Sequence, residues 1–542
     1  MGRVNIKPQS SYPLRLLGAK SINVLALPLI QCRGKEAKPE MAQCYHHSSV
    51  LLCSLCVFLP SILAQAAEFN LPLKAVNLGN WLVTEGWMMP SRFDGLNGQL
   101  LDGTQVQFKS TKLRKFLSAE NGGGAAIVAN RDQASGWETF RLWRISDKKF
   151  NLRVFNKQFV GLRGQGATVV AVSGNPITTE TFDITRKPNN PNRVRFRASN
   201  GMFLQVKSPT EVTADYIGAT SWDDNDPSVF EMNVVGGLQG EYQITNGYGP
   251  SAAPNLLRDH WNNYITEQDF EFMAANGLTA VRIPVGWWIA YDPAPPMPFV
   301  GGSLNALDNA FIWAAKHGMK VIVDLHAAPG SQNGESHSAP RDGYLEWGDS
   351  YIQDTVKVME FLAARYGNHP ALVAIELLNE PRAPGVKLED LTKYYRLGYE
   401  AVRRHTPNAY VILSNRLGPA DPQELLQFAR GLSRVVIDVH YYNLFDPKFK
   451  QWNLQQNIDY IYNDRASDLS KVTPANGPLS FVGEWTSALD FDGATKEESG
   501  RFAKAQQDVY GRATFGWAYW SYRCKDDPWN LKRMIEEGLI KV

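Results

Sequence analysis

Two glutamates in this chain stand where paired-carboxylate chemistry would need them. Glu380 follows an apolar run at 372–378, within Leu378-Asn379-Glu380-Pro381, and Glu484 closes another, within Phe481-Val482-Gly483-Glu484-Trp485. Cleaving a glycosidic bond takes one carboxylic acid to protonate the leaving oxygen and a second carboxylate, across the sugar, to attack or to activate water. For either glutamate alone, a charged strand end in solvent is the plainer account. Two of them, each closing an apolar strand beside polar or aromatic residues, favour the chemical one. Metal-assisted hydrolysis would need other ligands. No His-x-x-x-His or His-x-His spacing occurs with an acid in register, so neither zinc nor any other cofactor is expected.

The elements that must hold these acids read as alternating helix and strand from about residue 240 onward. Thr266-Glu267-Gln268-Asp269 opens a helix with a cap and early acids, and Gly277 closes it. Leu304, Leu307 and Phe311 lie at helical spacing, and Gly318 ends that helix. Apolar runs at 281–285, 320–326, 372–378, 410–413, 434–442, 480–485 and 515–520 read as strands covered on both faces. With residues 75–78 they make eight, which predicts a (β/α)8 barrel for 67–100 and 238–542, a doubly wound sheet being the alternative. A barrel would present Glu380 and Glu484 from the C-terminal ends of two different strands.

Residues 101–237 interrupt this pattern with short strands and many Gly and Asn turns. Phe116, Phe159 and Phe203 open three units 43 and 44 residues apart. Each unit closes on another aromatic segment, at Phe140, Phe182 and Phe230. Three β units of about forty residues predict an inserted β-trefoil, similar to fascin-like modules. Because the barrel strands lie outside it, its removal is expected to spare hydrolysis of small substrates.

Several motifs now line up in order: Val76-Asn-Leu-Gly-Asn-Trp-Leu-Val-Thr-Glu85, Arg282-Ile-Pro-Val-Gly, Asp324-Leu-His326-Ala-Ala-Pro-Gly-Ser-Gln-Asn-Gly, Asn379-Glu380-Pro381, His440-Tyr-Tyr442, Glu484-Trp485 and Trp520-Ser-Tyr. Together they resemble glycoside hydrolase family 5, in particular its exo-β-1,3-glucanase-like branch. The resemblance implies Glu380 as acid/base and Glu484 as nucleophile of a retaining reaction. It implies Asn379 on the sugar 2-hydroxyl and Arg282 beneath Glu484, keeping it ionised, although a barrel-core ion pair would use the same geometry. His326, His440 and Tyr442 would line the same subsite. Trp520 would be its stacking floor, against a plain packing role, and Glu85 would hold the outer hydroxyls of a terminal glucose. One departure stands out. After Ser331-Gln-Asn-Gly334, where the branch places an aromatic residue to grip the leaving sugar, this chain has Glu335, while Phe445 matches that residue's partner.

The remaining composition narrows the function. A net charge of +2, with no basic cluster interleaved with aromatics, argues against a nucleic-acid partner. The apolar stretch 49–64, with small residues at Ala64 and Ala66, reads as a secretory signal over 41–66 that begins at Met41. Residues 1–40 are then an upstream extension. An organelle transit peptide or a membrane anchor are the competing accounts. Removing residues 1–67 takes the charge from +2 to −3 and leaves Cys524 alone, so no internal disulfide is possible. The expectation is a secreted monomer, with no stable membrane span after processing, that acts on β-glucan or β-glucoside oligosaccharides. The insert would touch polysaccharide. Transglycosylation and a non-catalytic glycan- or actin-binding role are the alternatives. Retention of both glutamates weighs against a degenerate binder.

Overall fold

The computed structural model describes residues 70–164, 166–218 and 221–542, so the expected extension and signal segment lie outside the described residues. Eight parallel strands close into a barrel: β1 (Leu73–Asn77), β2 (Ala280–Gly286), β3 (Lys320–Ala327), β4 (Leu372–Glu376), β5 (Tyr410–Ser414), β6 (Val435–Tyr441), β7 (Leu479–Trp485) and β8 (Gly516–Tyr519). β1 pairs with β2 on one side (Asn77 opposite Arg282) and with β8 on the other (Val76 opposite Tyr519). That closure excludes the doubly wound alternative. The helices expected from capping are present. Thr266 precedes Glu267–Ala275 with its backbone N–H on Asp269, and Ser303–Lys316 carries Leu307 and Phe311 inward.

Residues two apart on a strand face the same side, so the barrel interior is built in layers. Ala75, Ala280, Ile322, Ala374, Ile412 and Val436 form a dry apolar plug. Two residues further along the strands come Asn77, Arg282, Asp324, Glu376 and Asp438, all wholly buried. Another step along β3 and β6 brings His326 and His440 to the C-terminal mouth. The chain thus passes from hydrocarbon to buried charge to site within four residues of strand.

Between β1 and β2 the chain forms an antiparallel, barrel-like β region. Six strands (Gln105–Ser110, Thr139–Arg144, Lys149–Arg153, Thr181–Lys187, Asn190–Arg197 and Phe230–Gly236) pair in a ring. Three hairpins, opened by Phe116, Phe159 and Phe203, hang from it. Phe140, Phe182 and Phe230 fill its separate core.

This region is not free of the barrel. Arg153 reaches Asp342 (2.9 Å) and Glu346 (2.6 Å), and Trp143 Nε1 donates to Asp342 (2.6 Å). The Tyr344 hydroxyl donates to the carbonyls of Val154 and Phe155. All these partners belong to the loop after β3, which also carries Gln332, Asn333, Glu335 and His337. The insert thus holds the loop on which the expected survival of small-substrate hydrolysis after its removal depends.

Candidate active site

Arg282 organises the pocket floor. With no exposure to solvent, its guanidinium donates Nε–H and Nη2–H to the two oxygens of Glu376 (2.7 and 2.9 Å), Nη2–H also to Asn379 Oδ1 (2.8 Å), and Nη1–H to Asn77 Oδ1 (2.9 Å) and Glu484 Oε1 (3.1 Å). Asp324 lies 3.3 Å away. A planar five-donor fork suits such a ring of acceptors, where an ammonium would not. Both sequence accounts of Arg282 therefore hold at once: it is a barrel-core ion pair and it lies against Glu484.

Glu484 and Glu380 face one another from the ends of β7 and β4, and a carboxylate oxygen of one lies within 4.8 Å of an oxygen of the other. His440 joins them. Its Nδ1 is 2.7 Å from Glu380 Oε1 and 3.4 Å from Glu484 Oε2, while its Nε2 lies 3.1 Å from Asp438. The Tyr442 hydroxyl donates to Glu484 Oε2 at 2.8 Å. Glu380 itself has φ +48°, a left-handed backbone that costs a non-glycine residue on the order of 1 kcal/mol or more. Gln332 helps hold that segment, its side-chain amide donating to the carbonyls of both His326 and Asn379.

His326 gives Nδ1 to Asp324 (2.6 Å) and stacks its ring on Trp520, centroids 5.3 Å apart and 10° from parallel. Gly79 makes room for that indole, since a Cβ there would stand 2.8 Å from it. Glu85 accepts from Trp87 Nε1 at 2.9 Å. Trp87, Trp529, Tyr442 and Phe445 then follow ring to ring, at 5.0, 5.8 and 5.7 Å, as an aromatic wall out to the exposed Phe445. All ten residues singled out from the sequence thus belong to one connected cluster of contacts. Two of these ten residues carry a buried polar atom with no partner among the described residues: Asn379 Nδ2 and Glu85 Oε1. A buried donor and acceptor without protein partners cost stability unless another group takes them up, and hydroxyls of a sugar can do so.

Burial sets the acid–base balance. It pushes Glu484 up to about 7, against the pull of His440, Arg282 and Tyr442, and pushes Glu85 up to about 7 as well. Burial would raise Glu380 too, but hydrogen bonds from His337 and His440 outweigh it and hold that carboxyl well below the usual range. Burial takes His326 down to about 4, so it is neutral. Burial opposes charge on His440 and His337, yet Glu484 and Asp438 hold His440 well above its ordinary value and Glu380 draws His337 up to about 9. Asn333 Nδ2 lies 2.9 Å from the same His337 nitrogen that faces Glu380.

His337, Glu376, Asp438, Trp87 and Trp529 also touch these residues without having been singled out from the sequence, and Gln332 lies inside the Asp324–Gly334 motif with no role of its own assigned there. Glu335, which stands where the family branch has an aromatic residue, forms an ion pair with Arg382 at 2.7 Å. Glu380, His440 and Glu484 also offer three ligand atoms close enough to hold a cation. A cation there would occupy the space a sugar must enter, and Glu484 already holds Arg282.

Residues 244–526 match the cellulase family, glycosyl hydrolase family 5, and residues 97–235 match a domain of unknown function, DUF7910. The chain is 33% identical over 345 residues to a probable glucan 1,3-beta-glucosidase A of Emericella nidulans, covering 55% of this chain and 82% of that one. It is 30% identical over 360 residues to a glucan 1,3-beta-glucosidase of Yarrowia lipolytica, covering 58% and 84%. Among solved structures, the rutinosidase of Aspergillus niger aligns with a TM-score of 0.48 at 20% identity, covering 55% of this chain and 88% of that one.

Proposed function

The chain belongs to glycosyl hydrolase family 5, and from that premise we propose that it is a retaining β-glycosidase releasing terminal glucose from β-glucans or β-glucoside oligosaccharides. One observation carries the reading: carboxylate oxygens of Glu380 and Glu484 lie within 4.8 Å of each other. Retaining enzymes hold their carboxyl groups about 5–5.5 Å apart, and inverting enzymes about 6.5–9.5 Å, to admit a water.

Glu484 is the nucleophile. Arg282 and Tyr442 donate to opposite oxygens of its carboxylate, which stabilises the ionised form and leaves little rotational freedom. Glu380 is the acid/base. In the reactive state it carries the proton that it shares with Glu484, donates that proton to the leaving oxygen as the glycosyl–Glu484 ester forms, and then takes one from the water that cleaves the ester. Asn379 Nδ2 is free for the 2-hydroxyl, where hydrogen bonds strengthen in the transition state. Trp520 and His326 offer a flat floor for the sugar face, and Glu85 offers an acceptor to its outer hydroxyls.

We take residues 101–237 to be an inserted β-trefoil domain. Six ring strands and three hairpins, each hairpin opened by one of the repeated phenylalanines, support that reading. We also take the protein to be secreted, on the strength of the apolar stretch before Ala64 and Ala66. Among the described residues no helix is long and apolar enough to cross a membrane. The test is hydrolysis of β-1,3- and β-1,4-linked oligosaccharides and an aryl β-glucoside, with NMR of the first product. The β anomer of glucose is expected first. Initial α-glucose, or no turnover on any β-glucoside, would overturn the proposal.

A further inference from the structure

A second aromatic site lies on the insert, outside the pocket. Trp137 and Phe155 are 37% and 58% exposed and border one concavity of about 510 Å³, together with Arg131, Gln133 and Ser135. The two rings meet at Gly122. A Cβ there would stand 3.1 Å from the Phe155 ring and 3.3 Å from Trp137 Nε1, and a Cβ on Gly136 would stand 3.2 Å from Phe155. The backbone is thus bare where the rings converge.

The threefold repeat supplies its own control. Structural features recur between units: Glu138 and Glu180 each accept the backbone N–H three residues earlier, from Ser135 and Ile177, and Phe140, Phe182 and Phe230 are all core. The aromatic pair does not recur. Four residues before the hairpin phenylalanines Phe116, Phe159 and Phe203 stand Lys112, Phe155 and Ser199. Three residues before Phe140, Phe182 and Phe230 stand Trp137, Thr179 and Pro227. The aromatic pair occurs once, where the end of the first unit meets the start of the second, beside residues that touch the barrel. Phe155 accepts from Tyr344 through its carbonyl, and its neighbour Lys157 donates to the Leu345 carbonyl. That loop also carries Glu335 and His337 at the pocket.

We propose that Trp137 and Phe155 form an accessory binding site for a β-glucan chain, holding polymer beside the loop that borders the catalytic pocket; this rests on the glucan reading above. Glucose units linked β present flat C–H faces that stack on exposed rings, while Gln133 and Ser135 can meet their hydroxyls. The charge fits a neutral ligand. Arg131 is already paired with Glu120 at 3.1 Å and lies 3.8 Å from Glu138, so the site offers no free cation to an anionic partner.

The test compares wild type with Trp137→Ala and Phe155→Ala in the full chain. Affinity for soluble β-1,3-glucan polymer, read by gel retardation, should fall roughly fivefold per ring, in the range of one aromatic contact. kcat/KM on the polymer should fall with it, while kcat/KM on laminaritriose and on an aryl β-glucoside stays at wild-type level. Trp137→Tyr and Phe155→Trp, which keep a stacking face, should restore polymer binding. Equal polymer affinity in wild type and both alanine variants overturns this inference alone. Equal loss on trisaccharide and polymer also overturns it, by showing that the rings act on the fold. An enzyme that cleaves aryl glucosides but no glucan oligomer overturns the glucan reading, and this inference with it.

Discussion

His337 Nε2 lies 3.2 Å from Glu380 Oε2, so the acid/base candidate is held on both oxygens by imidazoles, His440 taking the other. The groups facing His337 are Glu380, Asn333, the neutral His326, and the more distant Glu85 and Glu484. The direction of the pH effect follows from this arrangement. His337 lowers the Glu380 pKa, so removing it lets that carboxyl keep its proton to higher pH. The acid role needs the protonated form, and the alkaline limb of kcat/KM reports loss of the last proton shared by Glu380 and Glu484. His337→Asn should therefore move the alkaline limb to higher pH. A profile that superimposes on wild type would mean that His337 merely packs against His326.

Arg282→Met tests the floor of the pocket. It strands Glu376, Asp324 and Glu484 in a dry barrel, and breaking a buried ion network from one side costs about 3–5 kcal/mol. The unfolding midpoint should drop accordingly. In the protein that still folds, Glu484 loses a charge that lowers its pKa. The nucleophile then ionises only at higher pH, and the acidic limb of kcat/KM should shift upward. A variant as stable as wild type would show that the network contributes nothing net.

Glu484→Ala should abolish turnover of an aryl β-glucoside, and azide should restore it with an α-glycosyl azide as product, because the small anion takes the vacated face. Glu380→Ala should keep activity mainly on substrates whose leaving group needs little protonation. Full activity in Glu484→Ala would remove the nucleophile assignment.

The limits of sequence reading here have physical causes. Strands buried on both faces read as unbroken apolar runs, which is why all eight barrel strands are visible without a structure. Glu376 and Asp438 are single acids near or within such runs, and only barrel closure brings Glu376 to Arg282 and Asp438 to His440. The run through Leu378 also overstates β4, which ends at Glu376 as the chain turns toward the strained Glu380. His337 sits on a loop that no periodicity marks, and its meaning appears only when that loop folds over Glu380. Trp87 and Trp529, far apart in sequence, become a wall by meeting at 5.0 Å. The insert's repeat is legible through its phenylalanines, but its grip on the β3 loop is not, since Arg153 and Asp342 are 189 residues apart.

That grip predicts a cost for loosening it. Asp342→Ala removes the acceptor shared by Arg153 and Trp143 and leaves a nearly buried guanidinium with one carboxylate fewer. A one-sided loss of this kind costs on the order of 3 kcal/mol. The loop that carries Asn333, Glu335 and His337 should become more accessible to protease. Even small aryl glucosides should show a raised KM, contrary to the expectation of a separable insert. Wild-type kinetics and proteolysis in this variant would restore that expectation.

The leaving-sugar side offers the last prediction. Phe445 stands exposed as one wall, and the position where the family branch carries its aromatic partner holds Glu335, paired with Arg382. Both members of this pair are nearly half exposed, so it adds little to stability, about 0–1 kcal/mol. It replaces a stacking face with a polar one. A single aromatic platform contributes on the order of 1 kcal/mol, or several-fold in affinity. Wild type should accordingly discriminate only modestly between β-1,3 and β-1,4 linkages. Glu335→Phe should raise kcat/KM on laminari-oligosaccharides relative to cello-oligosaccharides by several-fold, with little change on an aryl glucoside whose leaving group is already flat. The ratio of kcat/KM values on the two series, measured for both proteins, is the readout. A wild type already strongly selective for β-1,3 bonds would show that linkage choice is made elsewhere in the pocket.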